Sequence, residues 1–193
     1  MHHHWHVDIA YVKICGEFFY LIAILDGFLR YLLGWKLWLD MTKQSVTLFV
    51  QKVCDEYPDA RPKIIHDNGA QFISHDFKNL LRENGCMDIP TRVKHPETNG
   101  KIERFIGLMR QEALRPNSPV SLSSAEKVIN GYVEYYDNTR LHSAIGYVRP
   151  IDVFSGKQEE IVQSRKRKLS EAKKKRIEIN RSRRMKTTEA QPA

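Results

Sequence analysis

Three acidic residues stand where a carboxylate could do chemistry. Glu103 follows the stretch His95-Pro96-Glu97-Thr98-Asn99-Gly100 and lies in the first turns of an amphipathic helix. Ile102, Phe105, Ile106 and Met109 repeat at i, i+3, i+4 and i+7 and form its apolar stripe. Asn99, Glu103, Gly107 and Arg110 fall on another face, so Glu103 is displayed rather than buried. Asp67 ends the short apolar strand Lys63-Ile64-Ile65-His66, and in open α/β sheets sites form at the carboxyl ends of strands. Asp8 sits mid-strand among Trp5, Val7, Ile9 and Tyr11, a setting in which Asp is depleted. Carboxylates gathered at one spot repel one another. A divalent cation resolves that repulsion, and oxygen-only ligands select Mg²⁺ or Mn²⁺. Two such ions about 3.5–4 Å apart can activate an attacking oxygen and stabilise a leaving oxygen on a phosphodiester. An acid taken alone is ordinarily a solvated or ion-paired surface residue. The spacing shifts that weighing, because 35 residues separate Asp67 from Glu103.

The elements that must position these acids follow from pattern. Trp5 to Tyr11 alternates as a strand, Gly16-Glu17 makes a turn, and Phe18 to Leu25 is a nearly continuous apolar run. Asp26-Gly27 is a second turn, and Leu29 to Leu39 a third strand, which completes an antiparallel meander. Thr42 caps a helix to about Tyr57, with Val46, Phe49, Val50 and Val53 on its buried side; Pro58 and Pro62 end it. After the Asp67 strand, Ser74 caps a helix from His75 to Asn84, closed by Gly85, and a short strand covers Met87 to Ile89. The Glu103 helix runs to about Leu114, and Ser121, Ser123 and Ser124 open a last helix to Asp137. Residues 136–150 read as an ordered loop. The sum is an α/β fold, a mixed five-stranded sheet of meander plus parallel strands flanked by helices. Adjacent parallel strands in it can set Asp8 beside Asp67.

With 193 residues and 41% apolar content, the chain can bury a real core. No apolar run approaches the roughly 18 residues of a membrane span, and the start, Met-His-His-His-Trp-His, does not read as a signal peptide. His2, His3 and His4 are taken as a native start rather than a metal site. Cys15, Cys54 and Cys86 are far apart in sequence, which argues against a zinc cluster and fits reduced thiols in a cytoplasmic protein. Residues 155–193 hold 13 Lys/Arg and 5 Asp/Glu, whereas residues 1–154 hold 18 of each, so the end of the chain carries the whole net charge of +8. Such a tail suits a polyanion, most simply nucleic acid; a solvated extension is the plainer alternative.

At this point the sequence resembles the catalytic core of retroviral-integrase-like transposases, the DDE recombinases of bacterial insertion sequences. The likeness lies in Trp5-His6-Val7-Asp8-Ile9-Ala10-Tyr11, Leu25-Asp26-Gly27, Arg30, Asp67-Asn68-Gly69-Ala70-Gln71-Phe72, Asn99-Gly100-Lys101-Ile102-Glu103-Arg104-Phe105, and Tyr136 to Pro150 with Arg140 and His142. It covers roughly residues 5–155. It implies a ribonuclease H-like fold in a core domain of residues 1–155, followed by a basic, helix-prone or disordered tail over 156–193. It also implies two-metal phosphodiester chemistry with Asp8, Asp67 and Glu103 as ligands. A strand is hydrolysed at the element's end, and the freed 3′-hydroxyl attacks target DNA without a covalent protein intermediate. Arg110 stands where the family usually carries a DNA-contacting Lys. Lys101, Asn68, Gln71 and Asn99 are the further candidate DNA contacts, while Arg140 and His142 are read as bracing the fold and His66 as supporting Asp67.

Departures from the family pattern are local. Leu29 stands where Ser is common, Ala70 replaces a frequent Pro or Ser, and Gly107 softens the Glu103 helix. The family carries a helix-turn-helix region upstream of the Asp8 strand, and here seven residues precede Asp8. The expectation is therefore a catalytic core acting on element ends and target DNA, as a homo-oligomer on DNA, with an upstream helix-turn-helix protein or frame as partner. The rival readings are a regulatory or inactive DNA-binding remnant and a stand-alone nuclease of the same fold.

Overall fold

The computed structural model describes residues 2–91 and 99–189. The sequence His95 to Thr98 lies outside them. Three antiparallel strands come first, β1 (His4–Ile14), β2 (Glu17–Asp26) and β3 (Leu32–Trp38). Helix α1 (Lys43–Glu56), strand β4 (Lys63–His66), helix α2 (His75–Glu83) and strand β5 (Met87–Pro90) follow. Helix α3 (Gly100–Met109) continues through a π-helical turn at Arg110–Leu114 into a final turn at Arg115–Asn117. Then come α4 (Leu122–Asn138), a 3₁₀ turn at Ser143–Ile145, α5 (Pro150–Phe154) and the long α6 (Gln158–Glu189). The sheet order is β3-β2-β1-β4-β5, antiparallel through β1 and parallel beyond it. This is the mixed five-stranded sheet that the alternation and turns predicted, in the ribonuclease H-like form that the resemblance implied.

Each face of the sheet is roofed by helices, because β1 sits at its centre. Val7, Ile22 and Ile24 pack with Val46, Val50 and Val53 of α1 and Phe77 and Leu81 of α2. Ala10, Val12, Leu21 and Ala23 pack with Ile102, Phe105, Ile106 and Met109 of α3 and Ile129, Tyr132 and Tyr136 of α4. The Asp8 face of β1 is therefore a second core face, not a solvated one, and β1 runs three residues further than its alternation suggested. The first turn is Cys15-Gly16, both with positive φ (47° and 93°), so Glu17 already belongs to β2.

Local rules explain the helix starts. Thr42 accepts a hydrogen bond from the Ser45 amide at 3.0 Å, and Ser74 one from Phe77 at 3.4 Å. Ser121 and Ser124 form a reciprocal capping box. The second turn is wider than a two-residue hairpin. Asp26 Oδ1 accepts from the amides of Phe28 and Leu29, each at 2.9 Å, and pulls the chain into a loop before β3 begins at Leu32. That loop buries Leu29 completely against Ile145, Val148 and Val153. The residue that departs from the family pattern is thus a core residue tying the 136–150 segment to the sheet. The last described segment is helical: Ile161 and Val162 pack onto this same cluster, and Arg165 donates to the Tyr147 carbonyl at 2.5 Å. None of the described helices is long and apolar enough to cross a membrane.

Candidate active site

The parallel pairing of β1 with β4 fixes the first two acids. His4 aligns with Lys63, Trp5 with Ile64 and His6 with Ile65. Asp8 and Asp67 each stand two residues beyond the last paired positions, His6 and Ile65, close enough for the Asp67 charge to act on Asp8. Glu103 stands exposed in the first turn of α3, which lies on the Asp8 face of β1. The proximity registers in the ionisation of Asp8, which is half-buried. Its carboxyl is pushed up to about 6, first by burial, with the charges of Asp67 and Glu103 adding to the rise. A bond from the Ile9 amide and the Arg110 charge oppose it.

These three side chains share a neighbourhood without forming a closed cage. Among the described residues no three His, Cys, Asp or Glu side chains converge closely enough to hold an ion as they stand. Asp67 Oδ1 instead accepts from the Gly69 amide at 3.0 Å. Both Asp67 and Glu103 are exposed, so their carboxyls retain rotational freedom. The donor set is all oxygen and carries mutual repulsion, which is the chemistry a hard divalent cation fits.

Arg110 joins this group. It begins the π-helical turn and donates from Nη2 to the Tyr11 carbonyl at 2.7 Å, which pins the end of α3 to β1. Such single π turns recur at functional sites. The sequence pattern had implied a regular helix to Leu114. Gln71 lies in the Asp67 loop with its Oε1 near Gly69, and Asn68 donates to the Thr91 carbonyl at 2.8 Å.

Two candidate residues are placed elsewhere. Asn99 is not displayed: it is 4% exposed and its Nδ2 donates to the Val7 carbonyl at 3.5 Å. The tight approach of α3 to β1 turns it inward. Lys101 points to the far flank of α3, donating to the Gly27 carbonyl at 3.0 Å, with His4 Nε2 at 3.1 Å.

His66 supports Asp67 from beneath. It is 1% exposed, its Nδ1 donates to the Asp67 carbonyl at 2.5 Å, and its Nε2 meets Asp88 Oδ1 at 2.7 Å. Sequence reasoning missed Asp88, since only the β4–β5 pairing brings it to His66. Arg140 braces the helix layer through an ion pair with Glu112, which also accepts from Tyr132 at 3.2 Å. His142 packs edge-on against Tyr136 with ring centroids 4.5 Å apart.

Two family models, each described as Integrase core domain, match residues 1–96 and 84–150. The chain belongs to this family. The transposase for insertion sequence element IS904 of Lactococcus lactis is 27% identical over 150 residues, a match covering 77% of this chain and 59% of that protein. The chain thus spans less than two thirds of that relative's length. Among solved structures, the catalytic core domain of BIV integrase superposes with a TM-score of 0.64 at 15% identity, covering 83% of this chain and 98% of that one. The HTLV-2 integrase catalytic core domain in complex with magnesium gives 0.59 at 17% identity, covering 77% and 93%. These likenesses agree on the fold, the integrase-type ribonuclease H-like core.

Proposed function

We propose that this chain is the catalytic core of a DDE transposase that cleaves and transfers DNA strands with a divalent metal, Mg²⁺ or Mn²⁺. The observation that carries the proposal is the neighbourhood of Asp8, two residues past the end of the β1–β4 pairing, where the charges of both Asp67 and Glu103 are felt. Asp8, Asp67 and Glu103 would hold the metal, two ions in the full site, which when bound supplies charge for both the attacking and the leaving oxygen of an in-line phosphoryl transfer. The chain's own residues do the rest. The buried floor of β1 fixes Asp8, and the His66–Asp88 pair holds the backbone that carries Asp67. Arg110 sets the end of α3 and offers a cation to a neighbouring phosphate. Asn68 and Gln71, in the Asp67 loop, contact DNA at its border.

The family setting and the magnesium held by the HTLV-2 integrase core support a metal; the transposase relative supports element ends and target DNA as substrates. A homo-oligomer on DNA and an upstream helix-turn-helix protein or frame complete the assembly we propose, within the bacterial cytoplasm. We assign residues 1–155 to the core and 156–193 to a basic tail whose Lys173 to Arg176 run adds phosphate contacts without sequence preference.

Pre-cleaved element-end DNA incubated with Mn²⁺ and the protein, beside Glu103→Gln, tests the proposal. Strand transfer by the wild type alone is the expected result. Transfer that survives in Glu103→Gln sinks the ligand assignment. Absence of transfer from both proteins, with DNA binding intact, favours a regulatory remnant.

A further inference from the structure

Helix α3 carries a second stripe. Lys101, Arg104 and Leu108 repeat at i, i+3 and i+7, away from the face of Glu103 and Arg110. With Arg30, Arg140 and His142 they line a cleft of about 230 Å³ between α3 and the segment after α4. That is several times the roughly 30 Å³ a water occupies, enough for a hydrated phosphate group.

The cleft is cationic and short of partners. Glu112 neutralises Arg140, but the ion pairs among the described residues include neither Arg30 nor Arg104. His142 Nε2 is buried without a hydrogen-bond partner among the described residues. Arg30 adopts a left-handed backbone (φ 60°), a conformation that glycine takes without strain and arginine does not. A half-buried guanidinium on a left-handed backbone, with no ion-pair partner among the described residues, is suited to receive an anion. The neighbouring groups respond accordingly. Lys101 and His142 are both held below their ordinary values by burial and then by adjacent cations, His142 at about 4.

We propose that this cleft is an oxyanion site that takes one phosphodiester of a nucleic-acid backbone, gripped by Arg30 and Arg104. An α-helix is roughly 10 Å across, so a duplex laid over α3 offers phosphates to both flanks, one beside the carboxylates and one here. The nucleic-acid source of the anion rests on the transposase reading; the oxyanion site does not.

Two probes separate these claims, inorganic phosphate and a 20-base-pair duplex, each without divalent metal. The variants are Arg104→Ala, at an exposed position, and Arg30→Gly with Arg104→Ala, in which glycine relaxes the backbone. Phosphate is expected to raise the wild-type melting temperature relative to chloride at equal ionic strength, and not that of the double variant. The double variant should bind the duplex about tenfold more weakly, with the slope of log affinity against log salt reduced by about 0.9, one phosphate contact. Arg104→Ala alone should show part of both effects. Wild-type behaviour of the double variant with both probes overturns the inference. Loss of phosphate protection with unchanged duplex binding overturns the phosphodiester assignment. If the wild type neither binds the duplex nor transfers strands, yet only the double variant loses phosphate protection, the oxyanion site stands and the nucleic-acid source falls.

Discussion

Gly69→Ala tests how closely the Asp67 carboxylate is positioned. A Cβ at residue 69 would meet Asp67 Oδ1 at 2.9 Å and Gln71 Oε1 at 3.0 Å. Ordinary contact begins at 3.4 Å, so the carboxylate oxygen must retreat by about half an ångström and the Gln71 amide by slightly less. Both atoms end flexible side chains, and Gly69 is not among the positive-φ glycines, so the backbone accepts alanine. The gain from a stiffer unfolded chain, about 0.4–1 kcal/mol, and the cost of the displaced contacts roughly cancel. Stability should stay within about 1 kcal/mol of wild type. Function is less forgiving, because sites tolerate about 0.5 Å of misplacement. Metal affinity or transfer rate should fall about 10–100-fold, the range for disturbed groups around a ligand. Mn²⁺ titration and strand-transfer rates, measured beside a urea melt, provide the readouts. An unchanged melt with metal affinity and rate both within twofold of wild type would refute the reasoning.

Three further outcomes follow from the same geometry. Asp137 is 3% exposed, accepts from the Leu32 amide at 3.1 Å, and is pushed up to about 8 chiefly by burial. Its native carboxyl keeps a proton that the unfolded chain releases above about pH 4, so stability falls as pH rises through that window, by at most about 1.4 kcal/mol per unit. Asp137→Asn should flatten that slope, as urea midpoints at pH 5 and 8 would show; a parallel slope contradicts it. Leu29→Ala should cost about 2–5 kcal/mol in urea unfolding, since Leu29 is fully buried against Ile145, Val148 and Val153. Arg110→Ala removes a charge that lowers the Asp8 value, so the Asp8 carboxyl should titrate at still higher pH by NMR; a downward move contradicts the placement of Arg110.

Much of the sheet could be read from spacing, because turn residues and alternation report local geometry. Thr42, Ser74 and Ser121 mark their helix starts for the same reason: a cap is a contact between residues three apart. What spacing could not convey was depth. Alternation in β1 separates two faces but does not say that α3 roofs the second, so Asn99 read as displayed and is buried. Leu29 is comparable: its burial depends on Val148 and Val153, more than a hundred residues away. The π turn at Arg110 inserts one residue into a helical repeat and leaves no local signature. In the site, the parallel β1–β4 pairing that brings the Asp8 and Asp67 segments together was legible as an inference from topology. The His66–Asp88 support and the Arg30 cleft were not, since each joins segments that only the folded chain brings together.

The ionisation of Asp8, followed by carboxyl NMR with and without Mg²⁺, reports on the whole site at once. Without metal its midpoint should lie near 6. It should drop, while staying above the usual carboxylate range, when Asp67→Asn and Glu103→Gln remove the neighbouring charges, because burial remains. Added Mg²⁺ should carry the wild-type midpoint down by favouring the charged form. A midpoint near 4 in the free protein, unmoved by either the two substitutions or the metal, would mean that the three carboxylates do not form one site.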